Sequence, residues 1–295
     1  MTGQDRVGVQ YGHMRVMDGH LHLWDPSVLT YKWLGGALLR PFGPDQLALA
    51  LQGAPEAERG FVFVQAECAP EQSVAEVDWV ASLAQLVGVR GIVARAPLED
   101  PAATANHLLA FAERPLVVGV RRLLQSEPEG LCLRPGFLRS ARALAEAGLT
   151  FDACVRREQL PDVMALADAV PELTIVLDHL GKPDVGSAGV AAPADGTTWA
   201  EGLSDLALRP NVVCKLSGLP AESVGAWTDS QIRPFLDVAL DAFGPERLLF
   251  GSDWPVSRPY AEWFDTVSSW LGDRVGEQDR KRVLAENAER VYGLR

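Results

Sequence analysis

His20 and His22 stand one residue apart in the run Met17-Asp18-Gly19-His20-Leu21-His22-Leu23-Trp24-Asp25, in a chain with only five histidines. Alternate side chains of an extended strand point the same way, so Asp18, His20 and His22 share one face. Two imidazoles fixed on one side of a strand end can grip a divalent ion, or donate hydrogen bonds to a carbonyl oxygen that gains negative charge. Far along the chain, Asp253 in Ser252-Asp253-Trp254 offers a carboxylate able to take a proton from an attacking water. Asp178-His179 adds a third imidazole, and Gln65, Glu67, Arg121 and Lys215 are polar groups in or just beyond apolar runs.

Each of these residues has a structural alternative. Asp253 is a good helix cap, although Trp254-Pro255 disfavours a helix beginning at once. The paired histidines, and His179, can be hydrogen-bonded core groups. Arg121 and Lys215 must meet a carboxylate, a substrate or water, because burying an unpaired charge is expensive; Glu67 and Asp18 are the internal partners at hand. Glu67 itself can be a solvated loop charge. Trp24 and Trp254 follow the two strongest motifs and can stack on a ligand ring or pack the rim. Arg121 and Arg122 face opposite ways along a strand, and Arg121 is the better candidate for a site. Asp178 points away from His179 if the strand continues, which gives it a structural part. His107 and His13 read as surface residues.

The elements that must position these groups alternate regularly. Short β-rich runs at 14–19, 60–66, 90–95, 116–122, 149–155, 172–178, 211–217 and 247–252 are interleaved with amphipathic stretches near 72–87, 102–113, 136–147, 158–169, 199–207, 229–243, 260–271 and 277–291. Eight strands and eight helices in alternation predict a (β/α)8 barrel of the TIM type, one domain over 14–295 behind a tail at 1–13. The Gly-, Ala- and Pro-rich stretch 180–198 is expected as a long loop after the sixth strand. In such a barrel the carboxyl ends of the strands surround one mouth, and each candidate residue falls at or near such an end. No GxGxxG or GxxxxGK[ST] follows a strand, so the usual nucleotide loops are absent.

Composition narrows the partners. The 295 residues are 47% hydrophobic, enough for a full core, and carry a net charge of −12. That charge argues against nucleic acid or an anionic membrane surface, though not against a small anion in a locally cationic cleft. No apolar run approaches a membrane span, and residues 1–13 lack the apolar centre of a signal peptide, so a cytoplasmic monomer or homodimer is expected. The four scattered cysteines, Cys68, Cys132, Cys154 and Cys214, read as reduced and mostly buried.

DGHLHLWD at the first strand, LDHLGKP at the sixth, FGSDWPV at the eighth and the closing ENAERVYGL resemble the amidohydrolase superfamily. More narrowly they resemble its branch of sugar-acid lactonases (L-fuconolactone and L-rhamnonolactone hydrolases), related to pyrone-dicarboxylate lactonase. VQAE, GVRRLLQ and KLSGL are similar to the sugar-lactonase side, and the resemblance runs over nearly the whole chain. Binuclear members carry a carboxylated lysine on strand 4 and histidines on strands 5 and 6. Here strand 4 offers Arg121 and Arg122 and strand 5 ends in Cys154-Val155, which argues against two bridged metals.

The resemblance implies a lactone-opening hydrolase. Asp253 would be the general base, also a metal ligand with His20 and His22, and His179 would complete the carbonyl-activating group. Trp24, Gln65, Glu67, Arg121, Lys215 and Trp254 would hold the substrate. One divalent ion, Zn2+ first, or no metal at all fits this set. A metal-dependent decarboxylase of a small unsaturated acid and a non-catalytic ligand-binding barrel are the alternatives; Gln65 and Glu67 favour a polyhydroxylated ligand over an aromatic acid.

Overall fold

The computed structural model describes residues 14–187 and 196–294, so the expected tail, His13 and part of the 180–198 stretch lie outside the described residues. Eight parallel strands follow one another around a barrel: β1 Arg15–Leu21, β2 Glu58–Val64, β3 Val89–Arg95, β4 Val117–Arg121, β5 Thr150–Ala153, β6 Ile175–Leu177, β7 Val212–Leu216 and β8 Leu248–Phe250. Runs such as Phe61-Val62-Phe63-Val64 and Ile175-Val176-Leu177 are buried on both faces, as strands with a core on one side and helices on the other require. The main crossover helices are Ser73–Val87, Pro101–Ala112, Pro135–Glu146, Leu160–Ala169, Gly196–Ala207, Asp229–Phe243 and Tyr260–Arg274. A further helix, Pro44–Leu51, lies in the connection between β1 and β2.

Closure between β8 and β1 depends on the residues that matter most for the site. The Asp253 N–H donates to the His20 carbonyl at 2.7 Å, and the His22 N–H donates to the Trp254 carbonyl at 2.8 Å. Asp18 Oδ1 accepts from the Ser252 N–H at 2.8 Å and from the His20 N–H at 3.0 Å, bridging both strands. The seam is tight: a Cβ on Gly251 would lie 2.8 Å from the His20 Cβ. The first and last motifs are therefore one structural unit as well as one chemical one.

Side-chain alternation stratifies the barrel interior. Its lower layer is apolar, built from Met17, Val62, Val64, Val93, Val176, Val213 and Leu249, and closed by Ala285, Ala288 and Tyr292 of the C-terminal helical segment. That segment, Glu277–Val291, includes one π-helical stretch at Arg282–Glu286, and Asn287 ties it down by donating to the Pro245 and Leu248 carbonyls. Two residues above Val213 sits Lys215, and two above that Ser217, so one strand supplies an apolar, a charged and a hydroxyl layer in turn.

β6 departs most from expectation. It holds three residues rather than seven: it begins only at Ile175, and the chain leaves the sheet at Asp178 to turn through left-handed backbone at His179 (φ 54°) and Leu180 (φ 55°). Asp178 consequently does not point away from His179; both point into the barrel, His179 at the mouth and Asp178 sealed below it.

Candidate active site

His20, His22, His179 and Asp253 meet at the carboxyl end of the barrel. His22 Nε2 lies 3.2 Å from His20 Nε2 and 3.3 Å from Asp253 Oδ1, which is 3.7 Å from His20 Nε2 and 3.9 Å from His179 Nε2. All four residues are buried. The strand ends bring in the first two, while Asp253 and His179 reach the cluster from left-handed backbone, which non-glycine residues adopt only under constraint from their surroundings.

The ring partners decide what these nitrogens present. His22 Nδ1–H donates to the Val64 carbonyl at 2.7 Å, so Nε2 carries a lone pair. Arg121 Nη1, which can only donate, lies 3.3 Å from His20 Nε2, so that nitrogen is also an acceptor. His20 Nδ1 lies between Asp178 Oδ1 at 3.2 Å and Lys215 Nζ at 3.1 Å, an acceptor and a donor. His179 pairs its Nδ1 with Ser217 Oγ at 2.9 Å and turns Nε2 towards Asp253. A Cβ on Gly218 would approach that Nδ1 to 2.4 Å, so the glycine gives the ring its place.

Burial lowers His20 far below its ordinary range and pushes His179 down to about 4, so both rings are neutral at pH 7. Burial alone would raise the Asp253 carboxyl, but the surrounding histidines, His179 first, outweigh it and hold the group well below the carboxylate range. Ser257 Oγ donates to its other oxygen at 2.8 Å. The His22 Nε2 lone pair and an ionised carboxylate thus converge beside the other two rings.

That arrangement fits a cation. Ligands bonded at about 2.0–2.1 Å to one ion stand roughly 3–4 Å from one another, as the 3.2–3.9 Å separations quoted above do. Ligand atoms of His20, His179 and Asp253 all fall within 4.8 Å of each other. His179, expected only as a catalytic group, thus lies in the candidate metal-holding group.

Beneath the donors lies a sealed charge network. Lys215 Nζ reaches Asp152 Oδ2 at 2.5 Å and Asp178 Oδ1 at 3.0 Å; Arg121 Nη1 meets Asp178 Oδ2 at 3.3 Å, and Tyr292 donates to Asp152 at 2.8 Å. Two cations balance two carboxylates. Burial opposes the Lys215 charge, but Asp152 and Asp178 raise its pKa above the ordinary value; burial likewise opposes the Asp178 charge, and Lys215 and His20 hold that carboxyl low.

Above the donors opens a cavity of about 440 Å³ lined by His22, Arg121, His179 and Asp253 together with Glu67, Arg95, Lys182, Glu222, Lys32 and Trp33 among others. Several expected substrate contacts are corrected by this geometry. Lys215 is fully buried below the cavity, paired with Asp152 and Asp178 rather than with Glu67 or Asp18. Trp24 is fully buried, its indole N–H donating to the Leu38 and Arg40 carbonyls, and Trp254 packs against Phe42. Gln65 is also sealed; its amide donates to Glu67 Oε1 and accepts from the Glu67 N–H, both at 2.7 Å, so it braces Glu67. Arg122 turns out to Glu99 and Glu127. His107 is half-buried and bonded to Ser73 rather than solvated.

Sequence reasoning passed over Trp33, Arg95 and Lys182 on the walls, and Asp152, Ser217, Ser257 and Tyr292 in support. Lys182, Ser217 and Tyr292 lie within the LDHLGKP, KLSGL and ENAERVYGL motifs, which was their only visible signal.

The comparisons with known proteins agree with this geometry. The chain is 32% identical to L-fucono-1,5-lactonase of Burkholderia multivorans over 300 residues, covering 96% of this chain and 97% of that one. It is 28% identical to L-rhamnono-gamma-lactonase of Scheffersomyces stipitis over 61% of this chain and 60% of that one. A crystal structure of an amidohydrolase from Burkholderia multivorans with bound zinc superposes with a TM-score of 0.83 at 31% identity, covering 95% and 99% of the two chains. The amidohydrolase family model matches residues 17–294, and with that span, the barrel and the converging donors, the chain belongs to the amidohydrolase family.

Proposed function

We propose that this protein hydrolyses the ester bond of a sugar-acid lactone, giving the open aldonate, at a single metal centre held by His20, His22, His179 and Asp253. The observation that carries the reading is the convergence of three imidazoles and one ionised carboxylate at the base of a cavity large enough for a sugar ring. The lactonase relatives and the zinc-bound neighbour support it. A divalent ion in that donor set acidifies a bound water and polarises an ester carbonyl.

The chain's own residues supply the rest. Asp253 stays ionised across the working range and offers Oδ1 as the proton acceptor, while Ser257 fixes its other oxygen. A carboxylate held this low is a weak base, sufficient only for a water already made acidic, which favours the metal-bearing form over the metal-free one. Arg121 faces the cavity from below His22 and His179 and contributes positive charge where the carbonyl oxygen gains negative charge. Carboxylates on the wall, Glu67 and Glu222, suit hydroxyl groups and disfavour the unsaturated acid that a decarboxylase would take.

A pH-indicator assay over L-fucono-, L-rhamnono- and L-galactono-lactones tests the reading, with Asp253→Asn as control. Turnover of at least one lactone is expected, with a loss of about 10²–10⁴-fold in the variant. No turnover across the panel, or an unimpaired variant, contradicts it.

A further inference from the structure

We propose that two ion pairs on facing walls of the cavity, Lys182 with Glu222 and Arg95 with Glu67, are its specificity determinants, reading substrate hydroxyls and excluding lactones that bear a further anionic group. The proposal rests on the lactone reading above and deepens it by assigning the residues that choose among lactones.

Four cations line the cavity. The three deeper ones are each matched by a carboxylate: Arg121 by Asp178 at 3.3 Å, Lys182 by Glu222 at 2.8 Å, and Arg95 by Glu67 at 3.9 Å. The fourth, Lys32, is exposed to solvent. An anionic substituent entering this space meets no uncommitted cation below the rim, and it must displace or abut a carboxylate to reach one. A hydroxyl group meets the opposite situation. It donates one proton and accepts others, so an adjacent ammonium and carboxylate, or guanidinium and carboxylate, complement it completely.

The two pairs occupy opposite sides of the barrel. Glu67 and Arg95 lie at the ends of β2 and β3, and Lys182 and Glu222 follow β6 and β7, four strands away on each count. Their side chains are neither sealed nor fully solvated: Glu67 is 35% exposed and Glu222 22%. Both pairs are also held in place. Gln65 clamps Glu67, whose backbone is left-handed at φ 56°, and Lys182 is left-handed at φ 52°. Glu222 immediately precedes Ser223–Val224, which pairs in parallel with Gly186–Ser187, and Gln231 donates to the Val185 and Gly186 carbonyls to fasten the same wall. Groups fixed before the ligand arrives bind it without an ordering penalty. A site built to satisfy hydroxyls rejects a ligand that leaves its polar groups unpaired.

The test compares kcat and KM of the metal-loaded enzyme on neutral aldonolactones and on five-membered lactones carrying an extra carboxylate, such as muconolactone. The wild type is expected to favour the neutral set by about 100-fold or more in kcat/KM. Glu222→Gln should raise KM for neutral lactones by about 10-fold with kcat changed only a few-fold. By freeing Lys182 it should also improve the carboxylate-bearing substrate, narrowing the preference at least about 10-fold. Glu67→Gln, on the other wall, should narrow it in the same sense, which guards against a folding defect in either variant. Comparable wild-type turnover of both sets, or an unchanged preference in both variants, overturns the proposal while leaving the lactone reading intact; no turnover of either set overturns both.

Discussion

The floor of the cavity and its walls both consist of paired charges, yet they use them differently. On the floor Lys215, Asp152 and Asp178 are shut off from water and partnered mainly by one another and by Arg121, His20 and Tyr292. On the walls Arg95, Glu67, Lys182 and Glu222 are paired but reachable from the cavity. The sealed groups touch no ligand; Asp178 and Lys215 fix the direction of His20. A half-open pair keeps hydrogen-bonding capacity for whatever enters. Burial rather than charge separates the part that builds the site from the part that reads the substrate.

The largest expected break in this division is Lys215→Met. It leaves Asp152 and Asp178 facing each other without their shared cation, and should lower stability by about 3–5 kcal/mol in denaturant unfolding. A loss below about 1 kcal/mol would mean that Lys215 is solvated and belongs with the walls. Any residual activity of this variant should fall equally for all lactones, whereas wall substitutions should alter the ranking of substrates.

The pH response sharpens the same contrast. His179 is pushed from its ordinary 6.5 down to about 4 by burial, so it is neutral in the folded protein over a range where it is charged in the unfolded chain. The unfolded state binds more protons between those values, and stability should fall as pH drops from about 6.5 towards 4. The acid limb of kcat/KM should accordingly lie near pH 4 to 5 rather than at 6.5. A limb centred on 6.5 would place the site histidines in water.

The smallest expected effect concerns aromatic residues. Trp33 is 42% exposed, lines the cavity and anchors its indole N–H on the Ala66 carbonyl at 2.7 Å, while Trp24 lies edge-on behind it and fully buried. Trp33→Ala should raise KM about 3–10-fold and leave stability within about 1 kcal/mol. Trp24→Ala should instead lower stability by about 3–5 kcal/mol. Urea unfolding and steady-state kinetics on the two variants would expose a reversed assignment.

Much of this was legible in the sequence. Alternation of apolar strands and amphipathic helices predicts the barrel, and the barrel in turn predicts that His20, His22, His179 and Asp253 meet, as they do in the structure. What escaped depends on local backbone. A strand reading carried past Leu177 sends Asp178 and His179 to opposite sides, and no composition rule announces the left-handed turn that unites them. Lys215 and Gln65 were expected at the substrate because their chemistry suits it, but their depth in the barrel follows from register, which only the folded strands reveal. Trp24 sits in the stronger motif and Trp33 in an unremarkable loop. The loop residue faces the cavity because Trp24 turns inward to give its N–H to the Leu38 and Arg40 carbonyls.

The central claim, a lactone-opening centre with one metal on four donors, is tested most directly by lactone hydrolysis in metal-stripped protein as zinc is added back. The donor geometry predicts negligible turnover at zero zinc, a linear rise, and a sharp plateau at one equivalent per chain. Full turnover in the stripped protein, or a plateau only at two equivalents, would contradict it.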